Sequence, residues 1–422
     1  MKILFLDYNR DCLPALLRSF ELARWTASSG HCVTLCFCHE RFRQAAWFID
    51  MLVSAQTGNF SVSFSASHTN NPIPQASCLS DEQPKVSAWR LLRSVILAFR
   101  FIIPEIKKIV TFKPDVIVVR PDHSFSFLFT GYLFRIPIVL CTDGPIEEYG
   151  ALRRYFPKWP VSLDLWRAKK AKAILYLNEL CASLWKQKGI SAERLFPCSN
   201  GVDPNVFKPL EQSHRASMRG KLGLSGNEIV LGFCGNQRFW HGLDLLIIAF
   251  TALRQRIDGL RCIVVGALEH PRSAGLDTLP PDVETAIVFT GPIEYPRMPE
   301  FMDIIDIMVM PYPAYSLFHF SPMKMFESLS MAKIIVASAQ GQIRELLGNL
   351  PSAFLYDPKE GDGLASALLC ACDALRLNPQ LGMQSRELIM NGHTWKNRAE
   401  QVVASCEYAL RSAVPQQKRR TA

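Results

Sequence analysis

Short runs of Val, Ile and Leu recur along the chain, and most of them precede a longer segment whose apolar residues have helical spacing. Such runs are typical of strands buried on both faces, and their alternation with helices predicts parallel βαβ units. Each half is expected to form one Rossmann-like, doubly wound sheet, and the two sheets to face a central cleft, because such sheets bind ligands at the carboxyl ends of their strands. The pattern predicts six strands in each half, at residues 2–7, 33–37, 115–119, 137–141, 173–177 and 195–197, and at residues 229–233, 262–265, 287–290, 307–310, 334–337 and 354–356.

The composition is that of an ordinary globular protein. Of 422 residues, 49% are apolar and 20% are charged, which excludes a disordered chain, a collagen and a coiled coil. The net charge of +9 arises entirely within residues 1–200, which hold 25 basic and 16 acidic residues, whereas residues 201–422 hold 22 of each. This asymmetry indicates that the first half meets an anionic partner, whether nucleic acid, a lipid headgroup or a phosphorylated substrate.

No uncharged apolar run approaches the roughly 20 residues that a membrane span needs. The most suggestive run, residues 124–134, stops at Arg135, and the chain starts with a predicted strand that lacks the features of a signal peptide. We therefore expect a cytoplasmic protein. Its thirteen cysteines are expected to be reduced thiols rather than a disulfide framework. Cys32, Cys36 and Cys38 are expected to be core thiols rather than metal ligands, because no Cys-x-x-Cys pair occurs.

A helix with a charged first turn is predicted shortly after the strand that ends at residue 310. Ser321 is predicted to be its N-cap, and Pro322 suits the first turn. The free N–H groups and the dipole of such an N-terminus favour an anion, and Lys324 adds a positive charge three residues before Glu327. A phosphate at the helix tip with a carboxylate behind it suits a nucleotide diphosphate sugar. The alternative is a plain capped surface helix whose Glu faces solvent.

Residues 320–327, followed by residues 333–338 and 341–345, resemble the carboxy-terminal signature of the family 4 glycosyltransferases, which are retaining enzymes with the two-domain GT-B fold. Trp395 opens a final helix similar to the family's, and three further segments match in the same order, at residues 200–203, 235–242 and 290–293. The resemblance implies an acceptor-binding domain at residues 1–205, a nucleotide-sugar-binding domain at residues 206–390, and a helix at residues 391–412 that crosses back to the first domain. Residues 413–422 are expected to form a short basic tail.

The resemblance also implies a donor site in the second domain. The donor diphosphate is expected at the helix start and the glycine turn, the base near residues 291–293, and the ribose at Glu327. No metal or cofactor is expected, because the helix N-terminus and Lys324 supply positive charge for the departing diphosphate. The expected donor-binding residues are Gly235, Arg238, His241, Gly291, Pro292, Ile293, Ser321, Pro322, Met323, Lys324 and Glu327.

The sequence departs from the family pattern at several positions. The family motif has two glutamates, of which Glu327 is the second, and His319 stands where the first contacts sugar hydroxyls. Because an imidazole both donates and accepts hydrogen bonds, His319 is still expected to face the transferred sugar. Asn236 and His241 replace the Arg and Lys that grip the diphosphate. Ala332 replaces a Gly, at a cost of about 1 kcal/mol if the backbone there is left-handed.

In the first half, residues 137–144 resemble the strand and turn after which many family members place a His beside the reacting sugar, and Asp143 occupies that place. A carboxylate there would accept the acceptor's proton or offset positive charge on an oxocarbenium-like centre. The alternative is an ordinary turn, because Asp-Gly commonly marks turns. The expected catalytic residues are Asp143, His319 and Glu327.

Two basic segments account for the charge asymmetry. Arg93, Arg100 and Lys107 recur every seven residues beside an apolar stripe, and residues 153–172 mix cations with aromatic side chains. Cations with aromatics suit an anionic membrane surface or an anionic acceptor. The alternatives are solvated helix faces, or nucleic acid, for which no recognition motif is present. The residues expected to meet the membrane or acceptor are Arg153, Arg154, Trp159, Trp166, Lys169 and Lys170.

Together these features predict a hexosyltransferase-type glycosyltransferase, peripheral to the inner face of the cell membrane. It is expected to move a sugar with retention from a nucleotide diphosphate sugar to a lipid-linked or saccharide acceptor, in cell-surface polysaccharide or glycolipid synthesis. A competing hypothesis is a non-catalytic protein that keeps the fold and binds a nucleotide sugar as a partner or scaffold, because His319, Asn236 and His241 depart from the family pattern.

Overall fold

The computed structural model describes residues 1–8, 13–38, 46–64, 101–121, 126–142, 159–235, 241–266 and 279–413. The chain divides into two compact units. The first unit comprises Met1–Ser199 and Arg398–Ala422, and the second unit comprises Asn200–Asn397.

The first unit is built on a seven-stranded sheet whose paired strands are all parallel, in the order β3-β2-β1-β4-β5-β6-β7. Its strands are β1 (Lys2–Asp7), β2 (Cys32–Phe37), β3 (Phe60–Phe64), β4 (Val116–Arg120), β5 (Ile138–Cys141), β6 (Ala173–Tyr176) and β7 (Leu195–Pro197). Its helices include α1 (Leu13–Ser28), α2 (Ala46–Ser54), α3 (Ile102–Phe112), α4 (Ser126–Leu133), α5 (Trp159–Lys170) and α6 (Glu179–Gln187).

All six strands that the sequence predicts for this unit are present, with ends shifted by at most a residue. The pattern does not predict β3, which pairs with β2 at one edge of the sheet. Its sequence Phe-Ser-Val-Ser-Phe alternates apolar and hydroxyl side chains, as a half-exposed edge strand does, and so lacks the continuous apolar run that identifies the buried strands.

The second unit has a six-stranded parallel sheet in the order β10-β9-β8-β11-β12-β13. All six predicted strands are present, as β8 (Ile229–Cys234), β9 (Leu260–Val265), β10 (Ile287–Phe289), β11 (Ile307–Met310), β12 (Ile334–Ser338) and β13 (Ala353–Tyr356). The helices are α7 (Gln212–Lys221), α8 (Leu243–Arg254), α9 (Pro281–Glu284), α10 (Met298–Asp303), α11 (Met323–Ser330), α12 (Gly341–Leu347), α13 (Gly363–Leu377) and α14 (Met383–Met390). The last helix, α15 (Trp395–Ala413), begins at Trp395 as predicted.

The continuous apolar runs of the strands follow from burial on both faces. On β8, Leu231 and Phe233 belong to one hydrophobic cluster and Val230 and Cys234 to another on the opposite face of the sheet. All four side chains are at most 2% exposed, because helices cover both faces. A strand in this position has no solvent face on which polar residues would alternate.

Ala332, at the turn between α11 and β12, has a φ of +55° and is therefore left-handed. This is the conformation for which the sequence predicts a cost of about 1 kcal/mol relative to Gly. Its carbonyl oxygen lies against Gly382, where an added Cβ would come within 2.0 Å of it. The turn is thus fixed by close backbone packing.

Candidate functional site

Glycines with positive φ follow three neighbouring strands of the second unit. Gly235 follows β8 with a φ of +133°, Gly266 follows β9 with +79°, and Gly291 follows β10 with +69°. The N–H of Gly266 donates to the carbonyl of Gly291 at 3.0 Å, so adjacent turns are joined directly. Glycine adopts these conformations at little cost, and it adds no side chain of its own over the backbone at this edge of the sheet.

Lys324, in the first turn of α11, reaches back over the carboxyl end of β8. Its Nζ donates to the carbonyl oxygen of Cys234 at 3.0 Å and lies 4.7 Å and 5.1 Å from the ring centres of Phe233 and Tyr312. A Cβ added at Gly235 would lie 3.4 Å from this ammonium. Burial lowers the pKa of Lys324 to about 8. A cation thus stands beside the glycine turn, next to the N–H groups that a helix start leaves without partners.

Glu327 lies one turn further along α11 and is only 5% exposed. Its Oε1 accepts a hydrogen bond from the hydroxyl of Tyr295 at 2.9 Å. Burial raises the pKa of Glu327 to about 7, while the Tyr295 hydroxyl and the charge of Lys324 act in the opposite direction. The carboxyl therefore titrates near neutral pH, and its ionised form is an acceptor for ligand hydroxyl groups.

His241 and Gly242 lie at the start of α8, beside the same ammonium. Gly242 caps α8 with a φ of +70°, and an added Cβ would overlap the carbonyl oxygen of Pro311 at 1.8 Å. The ring of His241 lies 5.9 Å from that of Tyr312, and its Nδ1 would be 3.5 Å from a Cβ at Gly235. The structure thus brings together three of the predicted donor-binding residues, Gly235, His241 and Lys324.

The prediction that Ser321 caps α11 is wrong. The helix begins at Met323, Pro322 is the N-cap residue, and no side chain caps it. The Ser321 hydroxyl instead accepts the backbone N–H of Asn200 at 3.0 Å, and the Asn200 side chain donates to the Ser321 carbonyl. The backbone N–H of the distant Asn200 therefore occupies the Ser321 hydroxyl oxygen that the sequence pattern assigns to the helix cap.

The turn after β10 contains the residues predicted to lie near the nucleotide base. Gly291 is buried, Pro292 is exposed and Ile293 is half-buried against the core. This turn leads to Tyr295, which no sequence motif indicates and whose hydroxyl donates to Glu327. The order of β10, β9, β8 and β11 in the sheet brings the two residues together, and no local spacing marks the pair.

His319 belongs to an aromatic loop between β11 and α11. Its ring centre lies 4.3 Å from that of Phe320, and ring contacts continue from Phe320 to Phe318 and from Phe318 to Tyr312. Tyr312 contacts the Lys324 ammonium, so a continuous series of rings connects His319 with that cation. The Gln340 side chain accepts the backbone N–H of Tyr315 at 2.8 Å and so holds the loop in place.

Several predicted residues lie outside the described part of the chain. They are Arg238, Asn236, Asp143, Arg153, Arg154, Arg93, Arg100 and the side chain of Trp159. On α5 Trp166 is 46% exposed, and Lys169 and Lys170 are also exposed.

The described residues contain no group of three or more His, Cys, Asp or Glu side chains that suits a metal ion. Cys36 and Cys38 are buried in the core of the first unit. None of the helices in the described ranges combines the length and the apolar character that a bilayer span requires.

Comparison with known proteins identifies proteins that are similar to this chain. Residues 228–373 match the family model described as glycosyl transferases group 1. A lipopolysaccharide 1,2-N-acetylglucosaminetransferase of Salmonella typhimurium is 23% identical over 225 residues, which are 50% of this chain and 58% of that protein. A putative teichuronic acid biosynthesis glycosyltransferase of Bacillus subtilis, TuaH, is 27% identical over 260 residues, 57% of this chain and 58% of its own length. The chain thus matches a little over half the length of these relatives.

A solved structure of Anabaena HepE in complex with UDP is similar over almost the whole chain. The similarity covers 96% of this chain and 100% of that one, with a TM-score of 0.71 and 18% identity. HepE in complex with UDP-glucose gives a TM-score of 0.69 and 17% identity, over 96% of this chain and 99% of that one. The predicted fold class, two Rossmann-like parallel sheets of the GT-B type, is confirmed.

Proposed function

We propose that the chain, of which residues 228–373 match the group 1 glycosyl transferases, transfers a sugar from a nucleotide diphosphate sugar to an acceptor, with retention. The single observation that carries this proposal is the pair formed by Lys324 and Glu327 on α11, beside the open turn at Gly235. A cation with a carboxyl one turn behind it matches the two polar ends of a ribosyl diphosphate.

The diphosphate binds at the start of α11 in this proposal. The Lys324 ammonium pairs with its oxygens, while the helix N–H groups and dipole add positive charge. Because negative charge builds up on the departing diphosphate as the sugar leaves, these groups stabilise the transition state more than the ground state. The pKa of about 8 means that Lys324 is mostly protonated at neutral pH, and binding of an anion favours its charged form further.

The nucleoside binds further along the same edge of the sheet. Ionised Glu327 accepts the ribose hydroxyls, and Tyr295 orients its carboxylate through the 2.9 Å hydrogen bond. The base rests on the turn formed by Gly291, Pro292 and Ile293. We propose UDP as the nucleotide, because HepE is described in complex with both UDP and UDP-glucose. His319, within its aromatic loop, is proposed to face the transferred sugar.

The acceptor is proposed to be a saccharide or a lipid-linked saccharide of the cell surface. Support comes from the two curated relatives, one named for lipopolysaccharide and the other for teichuronic acid. The roles of Asp143 beside the acceptor hydroxyl, and of Arg153, Arg154 and Trp159 toward an anionic acceptor or membrane, stay predictions.

Transfer of label from radioactive UDP-sugars to a membrane extract tests the proposal. Wild-type protein should transfer label from at least one of UDP-glucose, UDP-N-acetylglucosamine and UDP-glucuronic acid, and Glu327→Ala should abolish most of that transfer. UDP binding is measured in parallel by calorimetry. If wild type binds UDP but transfers no sugar from any donor, the protein is a non-catalytic nucleotide-sugar-binding member of the family. If it neither binds nor transfers, the donor site is assigned wrongly.

A further inference from the structure

A cavity of about 200 Å³ lies in the second unit, and we call it the Lys333 cavity. Its walls come from the start of α7 and the loop before it, the end of α10, the turn between α11 and β12, and the segment that leads into α14. Lys333 directly precedes β12, and Asp303 lies shortly before β11. Because β8, β11 and β12 are parallel, the turn at Gly235 lies at the opposite edge of the same sheet. A ligand in the Lys333 cavity therefore does not occupy the donor site.

Lys333 contributes a buried ammonium group to this cavity. Its side chain is 5% exposed, and its Nζ donates to the carbonyl oxygen of Asp303 at 2.7 Å and lies 3.9 Å from Asp303 Oδ1. An ammonium has three N–H donors, and the described residues supply no second acceptor within hydrogen-bond distance. Burial lowers the pKa of Lys333 to about 7. The charges of Arg215 and Arg219 act in the same direction, and those of Asp303 and Asp306 act against it. The ammonium thus lacks oxygen atoms that would stabilise its charged form.

Asp303 contributes a buried acceptor beside this ammonium. Its side chain is 3% exposed, and its Oδ1 accepts the backbone N–H of Leu210 at 3.1 Å. Its Oδ2 is buried and accepts no hydrogen bond from any residue in the described part of the chain. Buried polar atoms in native proteins normally have a partner, because an unpaired one lowers stability. The cavity thus joins a donor that lacks acceptors to an acceptor that lacks a donor.

The walls of the Lys333 cavity are held by contacts behind these two residues. Arg215 of α7 donates to the carbonyl oxygen of Asp303 and to the carboxylate of Asp306. The turn that carries Lys333 is fixed by the left-handed Ala332, whose carbonyl oxygen packs against Gly382. Helices α7 and α10 and the turn before β12 are therefore joined around the cavity. A preorganised wall of this kind lowers the entropic cost of binding a ligand.

The rim of the cavity combines amide and apolar side chains. Gln212 and Gln380 are exposed there, and each amide offers both a donor and an acceptor. Met331 is buried and Met383 is 44% exposed, so two flexible thioether side chains form part of the apolar wall. A sugar ring has hydroxyl groups at its edge and C–H groups on its faces. Amides beside methionines match both of these surfaces.

The charges of the cavity disfavour an ion as its ligand. An anion would meet the carboxylate of Asp303, and a cation would meet Lys333 and Arg215. A hydroxyl group is neutral, accepts a hydrogen bond from an ammonium and donates one to a carboxylate. Two neighbouring hydroxyl groups therefore match the unpaired atoms of Lys333 and Asp303 at once.

We propose that the Lys333 cavity binds a neutral saccharide, one hydroxyl of which accepts from Lys333 while a second donates to Asp303. The volume suits a single sugar ring, because it is below the roughly 300–1,000 Å³ of pockets for drug-sized ligands. This ring is either a free monosaccharide or one unit of a longer glycan. The inference goes beyond the proposed function, since binding at this edge of the sheet requires neither a nucleotide nor transfer.

Methionine-methyl NMR of the full chain tests the proposal. Met331 and Met383 report from the wall of the cavity, and Met390, which is 56% exposed on α14 outside the cavity, is the control signal. The probes are glucose, N-acetylglucosamine, maltotetraose, chitotetraose, glucuronic acid and inorganic phosphate. Each is titrated with saturating UDP present, so that a sugar cannot act through the donor site.

Three variants identify the residues that bind the sugar. Lys333→Met removes the ammonium and keeps the length of the side chain. Gln380→Trp fills the cavity from an exposed position, and Gln384→Trp is its matched control, because it places the same side chain at an exposed position of α14 outside the cavity. Gln380→Trp keeps the proposal testable if Lys333→Met does not fold.

Wild type should show saturable shifts of the Met331 and Met383 signals with at least one neutral sugar, and none of the Met390 signal. Glucuronic acid and phosphate should bind more weakly than that sugar. Lys333→Met and Gln380→Trp should each lose about tenfold or more in sugar affinity, because a charged hydrogen bond or the space for the ring is removed. Gln384→Trp should bind as wild type does, and UDP affinity should be unchanged in all three variants. A tetrasaccharide that binds more tightly than its monosaccharide identifies a glycan as the ligand, and equal affinity identifies a free sugar.

No saturable shift with any of the four neutral sugars would overturn the proposal, and ordered water would then be the partner of the two buried groups. Tighter binding of phosphate than of any sugar would overturn it too, as would sugar binding that Gln380→Trp leaves unchanged. A chain that binds sugar in the cavity but neither binds UDP nor transfers sugar would refute the proposed function and leave the saccharide site in place. Transfer activity without sugar binding at Met331 and Met383 would do the reverse.

Discussion

The two units share a strand order, but the residues at the carboxyl end of their first strands have different surroundings. In each sheet the first strand lies between the second and the fourth, as β1 does between β2 and β4 and β8 between β9 and β11. This reversal of direction opens a crevice at the carboxyl ends, where doubly wound sheets bind ligands. In the second unit Gly235 follows the first strand, whereas in the first unit Tyr8 follows it.

The side chains around Tyr8 and around Gly235 differ as well. Tyr8 is buried and donates to Glu105, which also accepts from Ser126 and Thr130, so the hydroxyls of the chain itself satisfy this carboxyl. Around Gly235 a lysine ammonium lies beside a residue that has no side chain. The same topology therefore holds a closed structural cluster around Tyr8 in the first unit and an open cationic cluster around Gly235 in the second.

Removal of the cation is the strongest test of the open cluster. Lys324→Ala should weaken UDP binding by about 1.5 to 3 kcal/mol, roughly 10- to 150-fold, because a charged hydrogen bond to the diphosphate is lost. Isothermal titration calorimetry measures the change. Lys359→Ala, an exposed lysine of the same unit, is the control and should bind UDP normally. Unchanged affinity in Lys324→Ala would remove this residue from the donor site.

Removal of the carboxyl from the closed cluster should lower the stability of the first unit rather than the affinity for UDP. Glu105→Ala leaves three hydroxyls without their acceptor and should destabilise the first unit by about 1 to 3 kcal/mol, with UDP affinity unchanged. Faster amide hydrogen exchange in α3 and α4 would report this loss. Glu327→Ala is the counterpart and should weaken UDP binding while exchange in these helices stays the same. A reduced UDP affinity in Glu105→Ala would show that the two clusters do not act separately.

The pH dependence of UDP binding should have two limbs. The pKa of about 7 for Glu327 means that affinity rises as pH increases through 7, because the ionised carboxylate accepts the ribose hydroxyls. The pKa of about 8 for Lys324 means that affinity falls above pH 8, because the neutral amine attracts the diphosphate weakly. Each limb can reach tenfold per pH unit. The optimum should therefore lie between about 7 and 8 in calorimetric titrations.

Glu327→Gln separates the two limbs, because it removes the enzyme's contribution to the rise through pH 7 and keeps the fall above pH 8. Any rise that persists in this variant belongs to titration of the UDP phosphate. A fall above pH 8 that persists in Lys324→Ala would contradict the assignment of that limb.

The smallest effect is expected from the residue that orients the carboxylate. Tyr295→Phe removes the hydrogen bond to Glu327 and should weaken UDP binding by about 0.5 to 1.5 kcal/mol. Because that hydrogen bond lowers the pKa of Glu327, its loss should also move the rising limb to higher pH. A purely structural role would leave this limb in place. Tyr408→Phe, in the first unit, is the control and should change neither quantity.

The sequence predicted the strands well because the signal is local. A strand buried on both faces needs an apolar residue at nearly every position, and twelve of the thirteen strands in the described ranges have such runs. The sequence pattern does not identify the edge strand β3, because four of its five residues are not buried. The cap of α11 was predicted wrongly because the distant Asn200 N–H takes the Ser321 hydroxyl.

The candidate site was predicted only in part. Gly235, His241, Lys324 and Glu327 were found through the helix start and the family resemblance, and the structure brings the first three of them together around one ammonium. Tyr295 was not found, because it comes from the turn after β10 and meets Glu327 only through the order of the strands.

By itself, then, the sequence determined two parallel sheets, the helix that starts near residue 322 and a basic first half. These properties depend on residues close together in the chain. The tertiary structure alone decided that Lys324 donates to the Cys234 carbonyl and that Tyr8 donates to Glu105. Each of these hydrogen bonds joins segments far apart in sequence. The tertiary structure also decided that α3 and α4 expose apolar residues to solvent. Burial and strand order, which no local pattern encodes, therefore distinguish the open cluster of one unit from the closed cluster of the other.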